Sequence, residues 1–427
     1  MPFELSYSPK VAVIGAGVSG LAAAYELAPS APVTLFEAAP RLGGHARTVL
    51  AGKRGDQPVD TGFIVFNDAN YPNMTRMFRE LDVPVKDSNM SFSASIGNGA
   101  VEYGLRDLKT LFAQKRNMAR PQYWRMIGDI LKFNKHAVAQ SQDPNMSLGE
   151  MLDKMQLGDW FRRYYLLPIS GAIWSSTPEQ MNSFPARSLV QFFENHALLS
   201  TNNHQWKTVD GGSIEYVTRI AKSIRTNGGD IRTSAPVAGV RRHATGVQVR
   251  THGNEWEDFD EVIFACHSDQ ALAMIENPSA DEKRILGNLR YQSNSAVLHC
   301  DESLMPKRRQ CWSSWVFLSP DDKPAPKIGM SYYMNWLQGI PEDDPLFVTL
   351  NAPTEIDESK IYDEVSFDHP IFDAAAIKAQ QELHAIQGQN QSWFAGAYTR
   401  WGFHEDGYQS GMKAAQHILE KEAKAVA

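Results

Sequence analysis

Cysteine is scarce in this 427-residue chain, which has three: Cys266, Cys300 and Cys311. Their number is odd and their spacing fits no metal-ligand pattern. Neither a disulfide framework nor a thiolate metal centre is expected, and reduced thiols suit a cytoplasmic protein. Long apolar runs are lacking too. None approaches the roughly 18–20 residues of a membrane-spanning helix, and the N-terminus carries no signal-peptide pattern. Positive charge is not in excess, since the formal net charge is −7 and the pI is near 6.0. That sets aside a general nucleic-acid binder, which needs a basic face for phosphates. Internal repeats and low-complexity segments are missing as well. What remains is the composition of a globular protein, 43% hydrophobic and 21% charged, long enough for two or three domains.

The chemistry begins in the first fifty residues. Lys10-Val-Ala-Val-Ile14 reads as a buried parallel strand, followed by Gly15-Ala16-Gly17-Val-Ser19-Gly20 and a helical stretch to Leu27. A second apolar strand, Val33–Phe36, ends on Glu37. This is the order of a dinucleotide site. Gly15 permits the tight turn, Gly17 lets backbone approach a pyrophosphate, and Gly20 lets helix pack on strand. The amides at the helix start, Ala16 to Ser19 among them, then face negative charge. Glu37 stands near the ~20-residue offset at which an acid receives ribose hydroxyls.

Arg41-Leu-Gly43-Gly44-His45 follows, and then Asp60-Thr61-Gly62. An RxGG turn after the ribose acid resembles the FAD-binding pattern of the flavin amine oxidase and phytoene desaturase superfamily. The resemblance implies that Arg41 and the Gly43-Gly44 backbone lie near pyrophosphate and flavin. The family usually has a second Arg where this chain has His45, with Arg47 close by. Trp206–Ser213 resembles the family's middle segment, with Val237 in the place of a residue that contacts adenine through its backbone. Glu405-Asp406-Gly407 and the helix after it resemble the last FAD motif, whose helix start points at the flavin. The implied cofactor is non-covalent FAD. No metal site is expected.

The expected fold is α/β, a discontinuous Rossmann-like FAD domain with a mixed helical and β-sheet substrate domain, amine oxidase-like. Residues 1–70, 205–290 and 390–427 are assigned to the FAD domain, and 71–204 and 291–389 to the substrate domain. Helical candidates are 105–115, 121–140, 147–156, 158–167 and 186–197, with an alternating strand at Ser91–Ile96.

No second GxGxxG follows a strand, so a separate nicotinamide site is not expected. The stretch Tyr291–His299 has no Lys where many family members carry one near the flavin, although Lys207 or Lys327 could substitute. Val59–Asn67, Leu166–Trp174, Ala265–Gln270 and Gly402–Gly407 resemble a bacterial subgroup of amine oxidase-like proteins. That subgroup is similar to flavin-dependent fatty acid desaturases and isomerases, and to the flavoprotein part of plant cyclopropane fatty acid synthases. The resemblance implies an unsaturated, methyl-branched or phospholipid-linked acyl substrate, with an acyl-modifying enzyme such as a methyltransferase as partner. Flavin amine oxidation and an FAD-stabilised partner protein are the alternatives.

Three residues are candidates for catalysis. His404 precedes the flavin-facing helix start, and an imidazole can titrate near neutrality; it could equally serve as a plain hydrogen-bond partner. Trp206 and Tyr398 lie beside motifs that bring them toward the flavin, and core packing is the competing reading for both. Residues 105–135 carry Arg106, Lys109, Lys115, Arg116, Arg120, Arg125, Lys132 and Lys135 against Asp107 and Asp129. Tyr123, Trp124, Ile127, Ile130 and Leu131 recur at helical spacing there. A basic amphipathic helix of this kind can lie on the inner face of an anionic membrane, though the charged outer face of a packed helix reads alike.

Overall fold

The structure is a computed structural model describing residues 8–174, 177–195, 198–199, 205–321 and 328–426. Its centre is a five-stranded sheet in the order Asp230–Arg232, Val33–Phe36, Val11–Ile14, Glu261–Phe264, Ser392–Phe394. All four pairings are parallel. The three middle strands are buried along their whole length, which is why they read as short apolar runs without alternation.

Both faces are covered. Val11, Val13, Val33, Leu35 and Ile263 point toward helices Val18–Leu27, Ile214–Thr226 and His404–Val426. Ala12, Ile14, Phe36, Val262 and Phe264 point the other way, toward the antiparallel sheet Val237–His243, Gly246–Thr251, Glu257–Phe259.

A second sheet of seven strands runs in the order 361–370, 291–299, 347–350, 329–333, 315–319, 92–96, 101–104. Its pairings are antiparallel except for 315–319 with 92–96. Beside it lies a helical layer whose core holds Tyr123, Phe133, Phe161 and Phe193. Two helices there start on capping boxes, at Ser147 and Thr177. Where one helix was expected over 105–115, the chain makes a short helix Leu108–Leu111 and a 3-10 turn Lys115–Ala119. The helix expected over 186–197 is Ala186–Asn195; residues 196–197 lie outside the described residues.

The boundary at residue 70 does not separate two packing units. Helix Pro72–Glu80 puts Met74, Met77 and Phe78 into the same core as the nucleotide strands. Strand Val85–Ser88 pairs with Trp206–Val209. A short polar helix has no core of its own, so its apolar face goes to the nearest large one.

Candidate functional site

The site lies at the carboxyl ends of the parallel strands, where an open α/β sheet leaves a crevice. Gly15 has φ +101°, and a Cβ on it would stand 2.8 Å from the Ala265 carbonyl oxygen. A Cβ on Gly20 would stand 1.8 Å from the Gly15 oxygen. Gly17 differs, because a Cβ there meets nothing within 4 Å. Gly17 is also the N-cap of helix Val18–Leu27, which has no side-chain cap and no acid in its first turn. A helix start with free amides and open space in front is an anion cradle. Gly44 closes one side, since its Cβ would lie 3.0 Å from the Gly17 Cα.

Glu37 holds the rim. Its carboxylate accepts from Ala16 N at 2.7 Å and Ala39 N at 2.8 Å, leaving lone pairs for hydroxyl donors. Val237 is brought to the same rim, since Ala235 N donates to the Glu37 carbonyl at 2.8 Å. Arg41 turns onto its own loop, donating to Gly44 O at 2.9 Å, which shapes the Gly43-Gly44 turn. Arg47 is committed to Asp363.

Six of the residues expected to touch cofactor, Asp60, Thr61, Gly62, Glu405, Asp406 and Gly407, do other work. Asp60 is buried, accepting from Thr48 Oγ1 at 2.6 Å, Ser213 Oγ at 2.7 Å, Ser213 N at 2.9 Å and Gln338 Nε2 at 3.0 Å. With its lone pairs taken, it anchors the start of helix Ile214–Thr226. Burial still raises its pKa to about 6. Glu405 accepts from Asn73 N, Asn73 Nδ2 and Met74 N, and so caps helix Pro72–Glu80. Asp406 accepts from Trp401 N at 3.1 Å and Phe403 N at 3.0 Å, and burial raises it too, to about 6. Gly407 lets two helices meet, for its Cβ would lie 2.8 Å from Val18 Cγ1 and 3.0 Å from Ser19 Oγ. Ser19 is therefore buried under the C-terminal helix. Thr61 and Gly62 support the His45 loop from behind, Thr61 N donating to Arg47 O and a Gly62 Cβ lying 2.0 Å from His45 O.

The histidines come together. His45 stacks on Phe367 at 4.7 Å between ring centroids and lies 5.5 Å from His369 and 6.0 Å from His267. His267 stacks on Tyr291 at 4.2 Å. His369 Nδ1 is 3.2 Å from Asn294 Nδ2, which belongs to the strand that lacks a lysine. His404 stacks on Phe63 at 4.1 Å. The buried Nε2 atoms of His45 and His404 have no partner among the described residues. Desolvation by burial is the largest cause of shift in each ring: His45 falls well below 6.5, His369 to about 4 and His404 to about 3. The expectation that His404 titrates near neutrality is thus corrected. It stays a neutral imidazole.

Tyr398 is buried beside the carboxyl end of the sheet, its hydroxyl without a partner among the described residues and its pKa pushed up by burial. Trp206 stands opposite Ser88 in a separate small sheet and is half-buried. Lys207 is paired to Asp68 at 2.6 Å, and Lys327 lies outside the described residues. Sequence reasoning missed Phe63, Asn294, Phe367 and His369. Phe63 and Asn294 lie in the stretches Val59–Asn67 and Tyr291–His299, but nothing local shows their role, because their partners His404 and His369 are far away in sequence; Phe367 and His369 lie in no such stretch.

An uncapped helix start, open space at Gly17, an acid at the sheet rim and two unpartnered buried imidazole nitrogens fit FAD. Gly15 to Ser19 and Gly43-Gly44 would hold its pyrophosphate, Glu37 its ribose, and His45 and His404 its polar edges.

Residues 18–364 match a protein family described as flavin containing amine oxidoreductase. No curated protein matches the chain. Among solved structures, the chain is similar to cyclohexylamine oxidase from Brevibacterium oxydans IH-35A (TM-score 0.66, 16% identity, 97% of this chain and 99% of that one). It is similar to a CLA-producing fatty acid isomerase from P. acnes (TM-score 0.66, 12% identity, 96% and 98%). A putrescine oxidase mutant gives a TM-score of 0.68 at 15% identity, covering 97% and 99%. At these identities the likeness shows the fold.

Proposed function

We propose, given that the chain belongs to the flavin-containing amine oxidoreductase family, that its substrate is an unsaturated fatty acyl chain, which it desaturates or isomerises. The membership itself makes the chain an FAD-dependent oxidoreductase. The acyl substrate is our reading, and one observation carries it: among the described residues, the side chains that continue from His404 form an apolar aromatic cluster. Phe403 stacks on Phe192 at 4.9 Å, and Trp174 follows at 4.8 Å from Phe192. The acids nearby, Asp60, Glu405 and Asp406, are turned to protein donors. Such a cluster suits an apolar chain, and among the described residues it offers a cation only the π-faces of its rings and no unengaged carboxylate.

When bound, FAD supplies the two-electron acceptor for a hydride from an allylic C–H. The chain's own residues do the rest. Phe63 fixes the His404 ring by stacking, and burial keeps that ring neutral. Phe192, Phe403 and Trp174 exclude water along the acyl chain and hold its allylic carbon in place. Desaturation also requires a proton to leave the neighbouring carbon. His404 Nε2 has no partner among the described residues, and a ring held neutral by burial serves there as a hydrogen-bond partner rather than as the acceptor of that proton.

Amine oxidation is a second reading, favoured by the family's description and by the substrates in the names of cyclohexylamine oxidase and putrescine oxidase. Anaerobic mixing of the FAD-loaded protein with unsaturated acyl lipids, and separately with amines, decides between them. Flavin bleaching by the lipid with a new double bond means desaturation. A moved double bond without lasting bleaching means isomerisation. Bleaching by an amine alone sinks the acyl reading. Normal FAD content with no response to either panel points to a partner protein instead.

A further inference from the structure

Exposed apolar side chains are unevenly spread over the described residues. Nine large ones are exposed, and five of them, Leu108, Met118, Trp124, Leu131 and Val138, lie between residues 105 and 140. Three of the five lie on helix Pro121–Gln140. Trp124, Leu131 and Val138 recur every seven residues, a step that returns almost to the same angle on a 3.6-residue helix. The core line of that helix is a different one, Tyr123, Met126, Phe133 and Ala137. Ile127 and Ile130 pack toward the same core. The helix therefore has two apolar lines, one of them facing out, with Leu131 66% exposed.

The surround of that outer line is cationic. Residues 105–140 carry eight lysines and arginines against Asp107 and Asp129, in a chain whose net charge is −7. Asp107 caps the short helix through Thr110 N and pairs with Arg106 at 3.5 Å, and buried Asp129 accepts from Gly158 N at 2.8 Å and pairs with Arg125 at 3.8 Å, so the two acids offset only two of the eight cations. Two residues before Met118, Arg116 enters a basin of about 540 Å³ formed by the turn Gly97–Ala100 with Lys307 and Arg308. Arg116 is fixed there by the neutral Gly99 O at 2.8 Å and keeps its charge for a ligand, whereas Arg308 is ion-paired with Glu102 at 2.7 Å. Held cations beside an outward apolar line suit phosphate headgroups with acyl chains behind them.

We propose that helix Pro121–Gln140, the turn Lys115–Ala119 and the adjoining basin dock on an anionic phospholipid bilayer. Trp124, Leu131 and Val138 enter the acyl boundary while the cations meet the headgroups. This goes beyond the substrate reading and holds whether the substrate is an acyl lipid or an amine, because docking needs no turnover. The test sediments the FAD-loaded full-length protein with phosphatidylglycerol or phosphatidylcholine vesicles, at low and high salt. We expect binding to the anionic vesicles at least ~10-fold above the neutral ones at low salt, lost at high salt. Leu131→Glu and Lys135→Glu should each cut it several-fold while circular dichroism and FAD content stay unchanged. Equal binding to both vesicle types, or Leu131→Glu sedimenting like the parent, overturns the proposal. So does a dimer in solution that Leu131→Glu dissolves while vesicles go unbound, for the occupant is then a second copy of the chain.

Discussion

Arg47 donates both terminal guanidinium nitrogens to Asp363, at 2.5 and 2.9 Å, with each side chain about 20% exposed. The pair ties the loop after Gly43-Gly44 to the strand Ile361–Pro370, and so couples the cofactor cradle to the second sheet. Removing one partner leaves a largely buried charge without compensation. Asp363→Ala should lose about 1–3 kcal/mol in urea unfolding and retain less FAD. The double change Arg47→Met with Asp363→Leu should recover part of both losses. A single variant as stable as the parent would show the pair to be ornamental.

Gly17 and Gly20 should fail in different ways. Gly17 has open space where a side chain would go, so Gly17→Val should fold and lose visible flavin absorbance. Gly20→Ala drives a methyl into the Gly15 carbonyl and should yield little folded protein at all. Far-ultraviolet circular dichroism and the ratio of flavin to protein absorbance separate the two. Full FAD content in Gly17→Val would remove the cradle from its place.

Glu405 is assigned here to helix Pro72–Glu80. Glu405→Ala should cost about 1–2 kcal/mol, the scale of a lost N-cap, and leave the FAD content of the folded protein unchanged. Loss of FAD at full stability would return Glu405 to the cofactor.

His404 sets a pH dependence whose sign follows from its burial. The unfolded chain takes up a proton there near pH 6.5, while the folded ring waits until about 3. Stability from this group is therefore present above pH 6.5 and lost as pH falls toward 3. Asp60 and Asp406, raised from 3.8 to about 6, act the other way and lose stability as pH rises across that interval. They do so equally in a His404→Phe variant, which keeps the stack on Phe63. The urea midpoint of the variant should fall less than the parent's between pH 6.5 and 4. Parallel profiles would mean that the ring is not held neutral.

The nucleotide half was legible because its signals are local. Strand, glycine turn, helix and acid follow one another within thirty residues, and each glycine has a backbone reason that the structure repeats. The acids near the C-terminus misled, because an acid beside a motif looks the same whether it faces a ligand or a helix start; the donors that claim Glu405 belong to Asn73 and Met74. The wall of the site was illegible for a similar reason. Phe63 meets His404 within the nucleotide core but from the opposite end of the chain, and His45 meets Phe367 only after the second sheet has docked. On helix Pro121–Gln140 the amphipathic period was visible, but not which of its two apolar lines would be buried.

The outermost strand of the central sheet, Ser392–Phe394, comes from the far end of the chain, and the helix after it packs on the first one, with Gly411 against the Ser19 carbonyl. During synthesis, then, the first hundred residues emerge with the glycine turn and its helix but with one face of that helix bare. The strand Val11–Ile14 must likewise wait for Glu261–Phe264 before its second edge is paired. Contacts this distant in sequence slow folding and leave apolar surface uncovered meanwhile. A ribosome stalled before residue 392 would carry a chain rich in secondary structure and unable to keep its flavin, so FAD retention by a truncation series should appear abruptly at the last thirty-odd residues rather than build up along the chain.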